Sequence, residues 1–458
     1  MTLKSYIVFL SLGIQMTVTY GQLGGNYWNL NYGTKAQLLN GAVIGGIEDN
    51  SAIFYNPAAI GTDTVAGISL SLFSPSYSTI YTNSDQLNNL KISDFDLLPN
   101  MAVVDFPFLE TSKLKSSLGI FSRRSFDLNF ASQFDINYTP TQDFTGTTNY
   151  RNKIDEDWIG FGISYRVTDK FRIGVTQGLT IRSQNQSYLI NGRASNFSSD
   201  FDDQLLYNSF NEYKTTHPSI NTKIGFQWHR ENYTAGFTIT TPSYIRILNS
   251  GSYQIIEPQF LDGEFIANVE ETVDDLSSTF KKPWAFGFGG VYSFKKDDRL
   301  YLSVERFNKI EPYRILSNPE STQAFSLLDA SKSVANLAVG YENQMSDVFT
   351  LLCGFRTDFN SADNYSLDND GDRGLFRFSW NIYHLTAGGL FSIRSFKFSA
   401  GLGYATSKSN EEVFNPFQPV FESFQISNFE LNRSESTFNS FTIFFNYALL
   451  FERFSSNP

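Results

Sequence analysis

One cysteine, Cys353, is all that the chain contains, so no disulfide can form within it and a small disulfide-stapled scaffold is excluded. Histidine is nearly as scarce, His217, His229 and His384 being the three. Nucleophilic catalysis needs a nucleophile, a base and an orienting group, and no Gly-x-Ser-x-Gly elbow accompanies these histidines. An enzyme is therefore not expected, and His384, on the polar face of 381–387, reads as a hydrogen-bonded interior residue. Basic residues are outnumbered, 35 Lys and Arg against 46 Asp and Glu, for a formal net charge of -11. That balance argues against a nucleic-acid partner, because phosphate binding needs basic surface. Beyond the first segment no run of about 18 apolar residues occurs, which excludes a membrane-spanning helix by length. No Pro-rich stretch, Gly/Ser linker or charge run divides the 458 residues, so one large architecture fits better than several small domains. No cofactor motif is present, and no cofactor is expected.

What the chain does have begins at its first residues. Lys4 supplies a positive start, Tyr6 to Met16 an apolar stretch, and Thr19-Tyr20-Gly21 a small-x-small cleavage site before Gln22. Residues 1–21 are read as a secretory signal peptide. Its removal takes Lys4 with it and moves the formal charge from -11 to -12. Aromatic residues make up 16% of the chain while charged residues stop at 18%. So much aromatic surface needs either a large core or a lipid phase to face.

Period-2 alternation decides between these. In Trp158 to Val167 the residues Ile159, Phe161, Ile163, Tyr165 and Val167 share one face, opposite Gly160, Gly162, Ser164 and Arg166. Phe171, Ile173, Val175, Leu179 and Ile181 repeat the pattern after the tight turn Thr168-Asp169-Lys170. The same grammar returns in 220–228 with 233–241, in 284–294 with 299–306, in 336–342 with 348–356, in 396–404 and in the closing strand 438–451. Most of these runs are about 9 to 11 residues long, enough to cross a bilayer at the usual tilt. Longer polar stretches, 183–217, 245–282, 308–333 and 406–439, separate other runs. Short turns at one end and long loops at the other are what outer-membrane barrels show. The predicted fold is an all-β, transmembrane, antiparallel up-and-down β-barrel, whose surroundings are the lipid bilayer of a bacterial outer membrane.

The face opposite the oily one is rich in glycine: Gly160, Gly162, Gly174, Gly178, Gly225, Gly236, Gly287, Gly289, Gly340, Gly354, Gly401 and Gly403. Two readings stay open, an interior filled by a plug or solute, and relief of crowding in a curved wall. Residues 22–62 lack regular alternation and are the natural plug, with short helices expected at 34–39 and around Ala58; residues 63–458 form the barrel. Inward-facing Arg166, Arg172, Arg182, Lys223, Glu305, Arg356 and Lys397 are candidate lumen contacts for an acidic head group. Cys353 shares the oily face with Phe349, Leu351 and Phe355. Asp368, Asp370 and Asp372 have the start of a calcium loop, but its twelfth position is Ser379, which favours a solvated loop tip.

The stretch 45–61, with Asn56-Pro57-Ala58 at its centre, resembles the N-terminal hatch of the FadL family of long-chain fatty acid and hydrocarbon transporters, in a Bacteroidota-like form. Lys282-Pro283-Trp284-Ala285-Phe286-Gly287 looks like that family's Pro-x-x-x-x-Gly strand opening, and 337–347 is similar to the hairpin that follows. The resemblance implies about 14 strands and a hatch shaped by Asn56, Pro57 and Ala58. It also implies passive uptake of apolar or amphipathic small molecules, released sideways into the membrane. Asn-Pro-Ala also resembles PorV-type barrels of secretion systems, which implies instead an assembly subunit holding a protein partner through its long outer loops.

Overall fold

A computed structural model describes residues 25–28, 30–61 and 66–451, apart from short stretches of which the longest are 196–203, 319–324 and 364–372. The expected signal peptide and Asp368, Asp370 and Asp372 lie outside the described residues.

The alternating runs form a closed antiparallel barrel of 14 strands. In chain order they are β1 (Ala66–Ser71, resumed as Ser74–Ser84), β2 (Leu87–Leu98, then Met101–Asp105), β3 (Leu114–Thr139), β4 (Gln142–Thr168), β5 (Phe171–Ser195) and β6 (Gln204–Arg230). Then follow β7 (Tyr233–Thr240, Ile245–Arg246 and Ser250–Leu261), β8 (Glu264–Leu276, then Ala285–Ser293), β9 (Asp298–Phe307), β10 (Val334–Gln344), β11 (Phe349–Asp358), β12 (Ile382–Ile393), β13 (Phe396–Ser409) and β14 (Glu435–Phe451). Pairing of Ala66 with Phe451 through Ser71 with Asn446 closes β14 onto β1.

Burial follows the alternation. Ile159, Phe161, Ile163, Tyr165, Leu300, Leu302, Leu385 and Phe445 are exposed on the outer wall, whereas Ser164, Thr176, Ser303, Thr386 and Asn446 are buried inside. Neighbouring outer rings meet across strands, as in Phe171, Phe226 and Phe237, or Phe391, Phe398 and Phe445. An exposed apolar belt with aromatic rows costs free energy in water and gains it in lipid, so the wall is that of an outer-membrane-type barrel. β9, with 10 residues, is about the length a bilayer requires. Strands β3 to β6, with 25 to 27 residues, project far beyond the belt, away from the short turns. At that far end Ile310–Asn318, Phe325–Ser331 and Arg373–Gly374 make a small sheet. Its Tyr313, Ile315, Leu316 and Leu327 pack on Tyr213, Tyr253 and Ile255 of the wall.

One seam is incomplete. β2 and β3 pair from Asp105 with Ser117 only as far as Met101 with Phe121. Beyond this, Leu87–Leu98 is paired with β1 and residues 124–139 with β4, and no ladder joins the two among the described residues. The β3–β4 register slips between Ser122 and Arg124, a bulge that turns β3 away where the seam ends.

Residues 25–61 run inside the barrel. The expected helix at 34–39 is not formed; 34–41 winds through turns. Gly33, Asn40 and Gly41 have φ of 94°, 55° and 77°, left-handed values that end a regular helix on both sides, and the Asp49 carboxylate takes the Lys35 amide at 2.8 Å. The helical turn expected around Ala58 is present, as helix α1 (Ala52–Tyr55) followed by a 3-10 turn at Pro57–Ala59.

Candidate functional site: a lumenal cavity over an inner segment

Asn56, Pro57 and Ala58 make the corner that seats the inner segment on the wall. Asn56 is fully buried; its Nδ2 donates to the carbonyls of Ile44 at 2.8 Å and Phe226 at 3.1 Å, and its Oδ1 accepts from the Ala58 amide at 3.1 Å. Pro57 starts the 3-10 turn, where no backbone donor is needed. The Ala58 carbonyl accepts from the Ser164 hydroxyl, and the Ile53 carbonyl from Thr176. This fit requires the glycine face. A Cβ on Gly225 would stand 2.1 Å from Asn56 Oδ1, and one on Gly174 2.3 Å from the Pro57 carbonyl carbon. Glycine therefore lines this part of the wall because the inner segment lies against it, whereas Gly160 and Gly178 make room for Trp158 and Gly403 for Phe444, so each of the two readings holds at its own positions.

Above the corner, on the side of the long strands, lies a cavity of about 1310 Å³ that includes space open to solvent. Its floor is aromatic. Tyr32, Phe54 and Trp158 line it and close on Phe121, with Tyr32–Phe54 and Phe54–Trp158 edge-to-face at 4.7 and 5.7 Å. Its walls are charged by Arg123, Arg124, Lys223, Lys281, Lys282 and Arg356 against Glu156, Glu305 and Asp329. Six cations face three carboxylates in a chain whose net charge is -11, so the cavity attracts anions where the whole chain repels them.

Glu156 organises one wall. It meets Lys282 at 2.9 Å, Arg123 at 3.2 Å and Arg182 at 3.4 Å, and the Arg182 guanidinium lies 4.1 Å over the Phe280 ring. Lys282 lies in the segment between the two parts of β8, just outside the lipid belt that begins at exposed Trp284. Burial lowers its ammonium to about 7, against the opposing pull of Glu156. Across the cavity, Glu305 accepts from the Trp28 indole at 2.6 Å. The inner segment reaches the unzipped seam through Tyr32, whose hydroxyl donates to the Ser122 carbonyl at 2.9 Å, while Arg124 donates to the Asn26 carbonyl. Cavity, inner segment and seam therefore meet at the bulge of β3.

Of the lumen cations expected from sequence, Lys223 and Arg356 line the cavity and Arg182 stands behind Glu156. Arg166, Arg172 and Lys397 do not join them; they sit beside the short turns at the other end, where Arg166 donates to the Ser112 carbonyl. His384 is corrected: its Nε2 is buried with no hydrogen-bond partner among the described residues, and its carbonyl, not its ring, accepts from Asn40. Arg123, Glu156 and Trp28 were not singled out in sequence, and Phe54 and Lys282 entered only as parts of the two resembling motifs, not as lining of a cavity. A hint of Arg123 was the adjacent Arg123-Arg124 pair, which interrupts the alternation of β3.

No family model matches the sequence, and no curated protein matches it. Solved structures do. A FadL homologue of Pseudomonas aeruginosa is similar with a TM-score of 0.60 at 15% identity, over 94% of this chain and 99% of that one. This is the fold of a FadL homologue. The P. putida toluene transporter TodX (TM-score 0.57, 11% identity, 92% and 99% coverage) and the Ralstonia pickettii toluene transporter TbuX (0.55, 12%, 92% and 98%) share it. The FadL-type likeness spans nearly the whole length of each partner, so the inner segment and the barrel are matched together.

Proposed function

We propose that this protein is an outer-membrane channel for passive uptake of hydrophobic or amphipathic small molecules such as long-chain fatty acids. Residues 22–62 serve as its hatch after removal of the signal peptide 1–21. The observation that carries this reading is the meeting of the aromatic, cation-rimmed cavity with the end of the β2–β3 ladder at Phe121 and Ser122. An apolar solute gains by leaving water for the Tyr32, Phe54 and Trp158 floor. From there the axial path is filled by the inner segment, whereas among the described residues no hydrogen-bonded seam joins β2 to β3 beside Arg123 and Arg124. Sideways release into the bilayer follows, and in this reading Asn56, Pro57 and Ala58 hold the hatch shut toward the short-turn end. The fold is shared with toluene transporters, which supports an apolar cargo.

The test is uptake of radiolabelled palmitate and toluene by proteoliposomes carrying the whole chain. The expected result is saturable uptake that changes when 22–62 is deleted. Equal uptake by intact and deleted chains would remove the hatch from the mechanism, and no uptake above protein-free liposomes would end the channel reading.

A further inference from the structure

The three short turns between β2 and β7 form a basic arc on an acidic chain. Segments 106–115, 166–172 and 228–233 carry six Lys and Arg against three Asp and Glu, while the whole chain has a net charge of -11. Of the next two turns, 294–299 pairs Lys295 with its own Asp298 at 3.6 Å, and 344–349 holds Asp347 and no cation. Within the arc Arg166 lies 3.9 Å from Asp169. Lys113, Lys170 and Arg230 are exposed, and no carboxylate stands within ion-pair distance of them among the described residues. The arc is tied together through its backbone. Arg166 donates from its amide to the Lys113 carbonyl and from its guanidinium to the Ser112 carbonyl, and the His229 amide donates to the Lys170 carbonyl. Neighbouring strands stand about 4.8 Å apart, so these turns, each two strands from the next, are spaced by about 10 Å along the rim. Long basic side chains of adjacent turns can therefore reach one group between them.

The depth of the arc is fixed by its aromatic neighbours. Short turns of an outer-membrane-type barrel face the periplasm, and the oily belt ends beside these cations at exposed Tyr165, Val167, Trp228 and Tyr233. Trp228 and Tyr233 meet edge to face at 5.5 Å, and the Arg230 guanidinium stands 5.1 Å over the Trp228 ring. Tryptophan and tyrosine at a membrane edge sit at head-group level, so the ring holds Arg230 at the depth of lipid phosphates. We propose that Lys113, Lys170 and Arg230 form a docking surface for anionic phospholipid of the periplasmic leaflet. Ammonium and guanidinium donors from adjacent turns gather on its phosphodiester in charge-assisted bonds. A zwitterionic lipid offers the same phosphate but brings an ammonium of its own, which the arc repels. The surface lies on the outside of the barrel and is independent of what the lumen carries. Its first turn, 106–113, joins β2 to β3, so the bound lipid stands at the foot of the two strands whose ladder ends at Met101 and Phe121.

The experiment uses the whole mature chain in phosphatidylcholine liposomes that contain a minor fraction of either phosphatidylglycerol or phosphatidylcholine with brominated acyl chains. Bromine quenches tryptophan at short range, so each brominated lipid reports its share of the places beside a given ring. The Trp228 signal is taken by difference from Trp228→Phe, and that of Trp284, exposed at the other edge of the belt, from Trp284→Phe. Phosphatidylglycerol is expected to be enriched about fivefold over phosphatidylcholine beside Trp228, the attraction of about one basic residue at a membrane surface, and not beside Trp284. Lys113→Gln, Lys170→Gln and Arg230→Gln together abolish the enrichment at Trp228 and each alone lowers it in part, with heat-modifiable gel migration verifying that the barrels are folded. Equal quenching of Trp228 by the two lipids in the parent overturns the proposal. So does an enrichment that survives the three substitutions, or one of the same size at Trp284. None of these outcomes touches the uptake reading.

Discussion

Gly45 of the inner segment lies so close to Gly290 of β8 that a Cβ added at Gly45 would stand 2.8 Å from the Gly290 backbone. The relation is one-sided. A Cβ added at Gly290 meets only the Thr234 carbonyl oxygen, at 3.9 Å, an ordinary contact. Gly45→Ala is therefore expected to lift the inner segment from the wall at an overpacking cost of about 1–3 kcal/mol, while Gly290→Ala is tolerated. Limited proteolysis of the folded barrels separates the two: cleavage within 40–50 should appear in Gly45→Ala alone. Equal resistance would show that the two backbones are not in contact in the membrane.

Asn56→Ala removes the donor shared by the Ile44 and Phe226 carbonyls and the acceptor of the Ala58 amide, and leaves those buried groups unsatisfied. A loss of about 1–3 kcal/mol in the docking of this corner is expected, seen as faster amide exchange at Ala58 and Ala59 with the barrel strands still protected. Asn56→Asp keeps the acceptor and loses both donors, so it should recover only the Ala58 amide.

Glu156→Gln leaves Lys282, Arg123 and Arg182 without their common carboxylate. Removing one partner of a buried ion pair costs about 3–5 kcal/mol, and here the damage should be local to the cavity wall. The midpoint of heat-modifiable unfolding should fall. Replacing Lys282 by Met in the same chain should restore part of the loss, because one unpaired charge goes with it. A double variant less stable than Glu156→Gln would count against the network.

Lys282, with its ammonium lowered to about 7, takes up a proton as pH falls from 8 to 6 and releases it as pH rises. Glu156, Arg123 and Arg182 are its charged neighbours, and His217, packed beside Phe280, is the other titratable side chain at this wall. Decanoate binding should tighten roughly threefold to tenfold from pH 8 to pH 6, the effect of one added charge at cavity distance. Lys282→Met should flatten the profile. If the slope persists in Lys282→Met and vanishes in His217→Gln, the histidine is its source.

The outer wall was legible in sequence because alternation is a local property. Ile159, Phe161, Ile163 and Tyr165 declare their face two residues at a time, whatever lies elsewhere, and each is exposed on the outer surface. The tight turn at 168–170 and the corner at Asn56-Pro57-Ala58 were equally local. The expected helix at 34–39 failed because Asp49 and two left-handed glycines, outside the pattern that suggested it, shape that stretch.

Arg166, Arg172, Lys223 and Arg356 looked alike in sequence, each an inward cation on an alternating strand. Only depth along the barrel tells them apart, and depth is set by the register of each strand against its neighbour. Lys223 faces Thr176 well up the wall, whereas Arg172 faces Gln227 beside the turn. The incomplete seam has the same origin. Nothing in the composition of 87–98 or 122–139 forbids their pairing; a bulge after Ser122 and the partners chosen on the far sides decide it. The sequence by itself determined the barrel, its lipid face and the corner of its inner segment, because side-chain period and turn chemistry act between near neighbours. The tertiary structure decided which charges share a cavity and where the wall stays open, because both depend on strand register, which couples residues far apart in the chain.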